Sequence, residues 1–146
     1  MEKGLTVTKV YRFTNQTKQK IPLFTVGISA GFPSPADDFI EKKLDLNEHL
    51  IKHPAATFFV RISGDSMQNA GIHSGDILVV DRAEKPSDGK IVVALLNGEF
   101  VVKRIKKQQN KIFLLPENSK YKPLEVTKEM DFEVWGVVLY VIHQPK

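Results

Sequence analysis

Asn97-Gly98 stands between two apolar runs, 91–96 "IVVALL" and 99–105 "EFVVKRI". No other short signal constrains the fold as strongly. Both residues tolerate positive φ, which a two-residue hairpin turn demands. Further turn clusters follow the same rhythm at Ser74-Gly75-Asp76 and Asp88-Gly89. The runs between them read as strands at 57–63, 76–81, 91–96, 99–105, 111–116 and 133–142. Short strands at such close spacing predict a mainly β fold of compact, partly barrel-like antiparallel sheets.

The segments before Thr57 are less regular. Residues 1–30 show no sustained periodicity and read as an extended arm, with a short extended piece at 21–28. The stretch "AGFPSPADD" carries two prolines and a glycine, so it reads as a loop or linker. Residues 39–51 have a weak helical pattern that Asp45 or Asn47 would cap. The expected organisation is an arm at 1–30, a linker and short helix at 31–56, and a β-rich domain at 57–146.

A chain of 146 residues can bury one core. It has no cysteine, which excludes disulfides, cysteine nucleophiles and thiolate metal sites. It has neither an apolar run long enough to span a bilayer nor the apolar centre of a signal peptide. A soluble, cytoplasmic protein without a membrane partner is the expectation.

The formal net charge is +4, from 21 basic and 17 acidic residues. Five of the basic groups (Lys3, Lys9, Arg12, Lys18, Lys20) and one acidic group (Glu2) lie in residues 1–30. That leaves sixteen of each sign in 31–146. The arm holds the whole excess. A neutral body argues against sequence-specific DNA binding, and a basic arm is usually a solvated tail.

One run ends unusually. In "FFVRISGDSM", a plausible buried strand breaks into a Gly-Asp turn that presents Ser66. Local pattern leaves open whether this is an ordinary loop or a mounted nucleophile. A serine hydroxyl needs a base within hydrogen-bond reach. The four histidines, His49, His53, His73 and His143, sit in no triad signature, and "GDSM" is not the G-x-S-x-G elbow. Surface roles suit them better than catalysis, and no His/Asp/Glu spacing resembles a metal site. Lysine is the other base. On a strand over 99–105, Val101, Lys103 and Ile105 share one face, while Phe100, Val102 and Arg104 share the other. Apolar neighbours predict a buried stem for Lys103. By local pattern alone, an amine that snorkels to water is favoured over a buried base. Ala30-Gly31 pairs two small residues after an extended segment, as a protease substrate would; a flexible linker explains it as well.

The order of these signals is more specific than any one of them. Ala30-Gly31, then Gly64-Asp65-Ser66-Met67, then Val102-Lys103-Arg104 resembles the LexA/UmuD family of self-cleaving serine–lysine proteases. "LDLNEHLIKHPAATFFVRISGDSM", "GIHSGDILVVDR" and "GEFVVKRI" resemble its UmuD/MucA-like branch, and the likeness extends from about Ile28 to the C-terminus. The resemblance implies that Ser66 is the nucleophile, Lys103 the general base, and Ala30–Gly31 the bond cut. It also implies an oxyanion hole from the backbone N–H groups of Asp65 and Ser66, with Met67 packing the site and no cofactor or metal. The implied function is an autocatalytic endopeptidase that removes its own arm when a RecA–single-stranded-DNA filament stimulates it. The processed homodimer then serves an error-prone, UmuC-like translesion polymerase in the SOS response. Ala30 stands where the best-known UmuD has a cysteine, which keeps the position small. The 30 residues before the cut are too few for a repressor's helix-turn-helix domain. Signal peptidases share the chemistry but need an anchor. A competing reading is a non-catalytic, dimeric interaction module for a polymerase, which would not depend on Ser66 or Lys103.

Overall fold

A computed structural model of the chain describes residues 4–12, 20–24 and 40–146. Ten strands run in chain order: β1 Leu5–Arg12, β2 Lys20–Phe24, β3 Ile40–Asp45, β4 Thr57–Gly64, β5 Ile77–Asp81, β6 Ile91–Leu96, β7 Glu99–Gln108, β8 Lys111–Leu115, β9 Leu124–Val126 and β10 Phe132–Ile142. Eight form one antiparallel sheet in the order β1-β4-β5-β10-β6-β7-β8-β9, and β2 pairs with β3 apart from it.

All six expected strands form, with ends shifted by up to three residues. The Asn97-Gly98 turn joins β6 to β7 with φ of 49° and 83°, the positive pair such a hairpin needs. Gln109-Asn110 repeats that geometry between β7 and β8, with φ of 49° and 64°.

The sheet is curled into a half-barrel rather than flat. β10 sits at its centre, and its register shifts twice, between Val134 and Gly136 and between Val138 and Tyr140. Each bulge adds twist and bends the strand. The curl brings edge strand β1 against β7, although four strands lie between them in the sheet order. Gly136 is required at the bend: a Cβ there would lie 2.6 Å from Cγ1 of Val80.

Apolar side chains cover both faces of the central strands. One cluster holds Leu5, Val60, Ile62, Met67, Ile72, Leu78, Val80, Val93 and Val102, all buried. A second, on the alternate residues, holds Val92, Ala94, Ile105 and Val137. Runs such as "IVVALL" are continuous rather than alternating because both faces are covered.

The region before Thr57 differs from expectation in two places. Residues 5–12 are a full strand, although their sequence shows no clean alternation. Seven register partners on β4 supply the order that the pattern lacks, and Leu5 is fixed in the core at 4% exposure. Residues 40–45, expected within a helix, are extended, and α1 spans only Leu46–Leu50. Asp45 caps it as anticipated, its carboxylate accepting from the Asn47 amide at 3.0 Å. A single turn without one buried residue lacks the packing that would extend it. Among the described residues no helix is long and apolar enough to cross a membrane.

Candidate active site

β4 delivers Ser66. Val60 and Ile62 anchor the strand in the core, and it ends at Gly64 with φ of +105°. That conformation suits glycine alone among the common residues. A Cβ at Gly64 would also collide with the Gly4 carbonyl oxygen. The turn that follows places Ser66 and Met67 at 0% exposure, Met67 within the main core cluster. A 3-10 turn, Gln68–Ala70, closes the loop.

β7 delivers Lys103. The alternation read from the sequence holds: Phe100 and Val102 pack on the main cluster, while Ile105 and Val101 pack on the second. Val101 and Lys103 line a cavity of about 360 Å³ with Gly4, Leu5, Leu96 and Leu114. Lys103 is therefore half-buried, its amine turned toward the serine turn. Its Nζ donates to Oγ of Ser66 at 2.8 Å across 37 residues of sequence. Burial strips water from the ammonium and pushes the amine below its ordinary value of 10.5. The snorkelling lysine favoured by local pattern is corrected here: curling of the sheet places the serine turn over the end of the side chain.

The backbone N–H groups of Asp65 and Ser66 point to one place. Both donate to the Gly4 carbonyl, at 2.5 and 3.0 Å. Two converging amides beside a buried hydroxyl can hold an oxygen that develops negative charge. The Ala30–Gly31 bond lies outside the described residues.

The loop after β8 braces this turn, and sequence reasoning missed all of it. The Glu117 amide donates to the Ser66 carbonyl at 2.8 Å, and the Asn69 amide donates to the Glu117 carbonyl at 2.7 Å. Nδ2 of Asn118 donates to the Asp65 carbonyl at 2.9 Å, and the Tyr121 hydroxyl donates to Oδ1 of Asp65 at 2.6 Å. Arg104, beside Lys103 on β7, pairs through Nε with Oε1 of Glu117 at 2.6 Å. These partners lie up to 56 residues from the turn, so no local pattern links them.

His53, His73 and His143 pair with buried carboxylates, and His49 lies against the Tyr140 ring instead. His53 Nδ1 lies 2.6 Å from Oδ2 of Asp81, and His143 Nδ1 lies 2.6 Å from Oδ1 of Asp76. With His73 and Glu84 these make two groups, His73/Asp76/His143 and His53/Asp81/Glu84, whose donor atoms lie within 4.8 Å of one another. Sequence spacing hid both, because the fold assembles them over long separations. Each carboxylate already accepts from backbone: Asp76 from His73, and Asp81 from Ala83 and Glu84.

The Peptidase S24-like family matches residues 22–139. The chain is 52% identical to Protein SamA of Salmonella typhimurium over 125 residues, covering 86% of each chain. It is 47% identical to Protein ImpA of Escherichia coli over 131 residues, covering 86% of this chain and 85% of that one. To Protein MucA of Escherichia coli it is 43% identical over 121 residues, covering 82% of each. A family match over most of the chain and identities this high leave one conclusion: the chain belongs to the Peptidase S24-like family, the LexA/UmuD kin that its sequence resembles.

Proposed function

We propose that this protein is a serine endopeptidase that cuts its own Ala30–Gly31 bond with Ser66 as nucleophile and Lys103 as base. The observation that carries the reading is the 2.8 Å contact between the Lys103 amine and the buried Ser66 hydroxyl. A neutral amine takes the hydroxyl proton as Oγ attacks the Ala30 carbonyl carbon. The amides of Asp65 and Ser66 hold the resulting oxyanion. Collapse breaks the C–N bond, and the lysine returns its proton to the Gly31 nitrogen, which leaves as a free amine. Water then attacks the Ala30–Ser66 ester, gives one proton to Lys103, and frees the Ala30 carboxyl. The serine recovers its hydrogen from the lysine, and the dyad is restored.

Family kinship supports the biological setting. A RecA–single-stranded-DNA filament stimulates the cut, and a homodimer of residues 31–146 assists a UmuC-like translesion polymerase in SOS mutagenesis. The test is incubation of the purified chain at mildly alkaline pH, with and without RecA filament. Mass spectrometry should find a new N-terminus at Gly31, and neither Ser66→Ala nor Lys103→Ala should produce it. An intact mass under all conditions would leave only the non-catalytic interaction module.

A further inference from the structure

The proposed oxyanion-binding amides already have a partner, and it comes from the chain's own N-terminal strand. The Gly4 carbonyl accepts from both Asp65 and Ser66. A peptide carbonyl placed so occupies the position of the acyl group of a bond under attack. β1 holds it there. Leu5 lies opposite Gly64 in the antiparallel ladder and fills a slot in the main core beside Met67. β1 also rests on β7, the strand that carries Lys103.

Only glycine fits this seat. A Cβ on residue 4 would lie 2.7 Å from Cβ of Ser66 and 2.5 Å from the Tyr121 ring. Ala30 carries such a Cβ, so the scissile residue cannot adopt the same close pose. Gly4 is thus nearer to Ser66 than a residue with a side chain can come, which marks a resting occupant rather than the bond to be cut.

We infer that the segment Gly4–Arg12 is the peptide ligand of the active-site groove and an internal competitor of the Ala30–Gly31 segment. The inference rests on the self-cleavage reading above. Two carbonyls cannot share the same pair of amides, so the scissile bond enters only after Gly4 withdraws. Anything that peels β1 from β4 then favours cleavage without touching the dyad.

Two measurements on the full chain test this. The first needs no chemistry. In Ser66→Ala, which cannot cut, the amides of Asp65 and Ser66 should exchange slowly with deuterium. Adding Gly4→Val should speed both by roughly tenfold, the worth of one net hydrogen bond. The amides of Val93 and Val102 report that the sheet is intact, and should they fail, Leu5→Asp ejects the strand by a second route. Equal exchange with and without Gly4→Val overturns the inference. The second measurement is the cut itself: Gly4→Val in the otherwise unchanged chain should release the Gly31 N-terminus several-fold faster, on the same order as that hydrogen bond. An unchanged rate despite faster exchange overturns the competition alone and leaves the dyad standing. A new N-terminus at Leu5 shows Gly4 to be a substrate and also overturns it. Absence of any cut removes the self-cleavage reading, and the competition with it, whatever the exchange shows.

Discussion

The Lys103 amine is where sequence, packing and chemistry meet. Its place on β7 predicts burial of the stem; contact of the amine with Ser66 depends on the fold. Burial lowers its pKa, and two consequences follow. The first concerns rate. Self-cleavage should climb with pH as the amine loses its proton, with a midpoint below 10.5. A midpoint at or above that value would show that burial does not tune the base. Lys103→Arg keeps the charge at every pH and cannot accept a proton, so cleavage should fall by about 10²–10⁴-fold throughout. The second consequence concerns stability. Below the lowered value the lysine is charged both folded and unfolded, and its burial opposes folding. As pH rises from there toward 10.5, the folded chain sheds its proton first and gains stability relative to the unfolded one. The unfolding free energy of wild type minus that of Lys103→Met should therefore increase with pH in this window, measured by urea denaturation. A flat or falling difference contradicts the assignment. The bracing residues were invisible to such reasoning, because Glu117, Asn118 and Tyr121 reach the serine turn only through the fold. Tyr121→Phe should cost about 1.5–3 kcal/mol, the worth of a hydrogen bond to a carboxylate, and should slow cleavage by loosening Asp65.

At the scale of elements, the hairpins were legible and the edges were not. Asn97-Gly98 announces β6 and β7 because a two-residue turn dictates its own residue types. The continuous apolar runs likewise announce strands covered on both faces. β1 carried no such mark, since order there comes from pairing with β4 rather than from its own pattern. Residues 40–45 misled for the opposite reason: a helical spacing of leucines was overridden by strand pairing with β2. The bulges of β10 were also silent, yet they set the curl that carries the serine turn to Lys103. Gly136 is their most exacting position. Gly136→Ala would press a methyl group into Val80 with the Asp81 carbonyl only 3.2 Å away. Overpacking of this kind costs about 1–3 kcal/mol. Chemical denaturation should show that loss, and the cut should slow as the sheet opens. A variant as stable as the wild type would mean that β10 can shift without strain.

At the scale of the whole molecule, the charge is divided along the line of the proposed cut. Residues 1–30 carry the entire excess of four positive charges, and residues 31–146 balance at sixteen of each sign. Cleavage leaves the body with one new amino terminus in place of the old one, so the balance of its side chains is untouched. The intact chain has a sequence pI near 9.2. Isoelectric focusing in urea should therefore move the processed band well toward neutral pH, and equal positions for the two bands would refute the division. Under native conditions the outcome depends on β1 and β2, which pair with β4 and β3 of the body. Eight residues of strand and a buried Leu5 join the basic segment to β4, and cutting at residue 30 breaks none of those contacts. The severed piece has lost only its covalent tether, so its pairing with the body becomes bimolecular and concentration-dependent. A freshly cut sample should hence elute from a cation exchanger close to the intact protein. On dilution toward the micromolar range it should separate into a basic peptide and a neutral body. Immediate separation at high concentration would show that β1 and β2 hold to β4 and β3 only while the chain is whole.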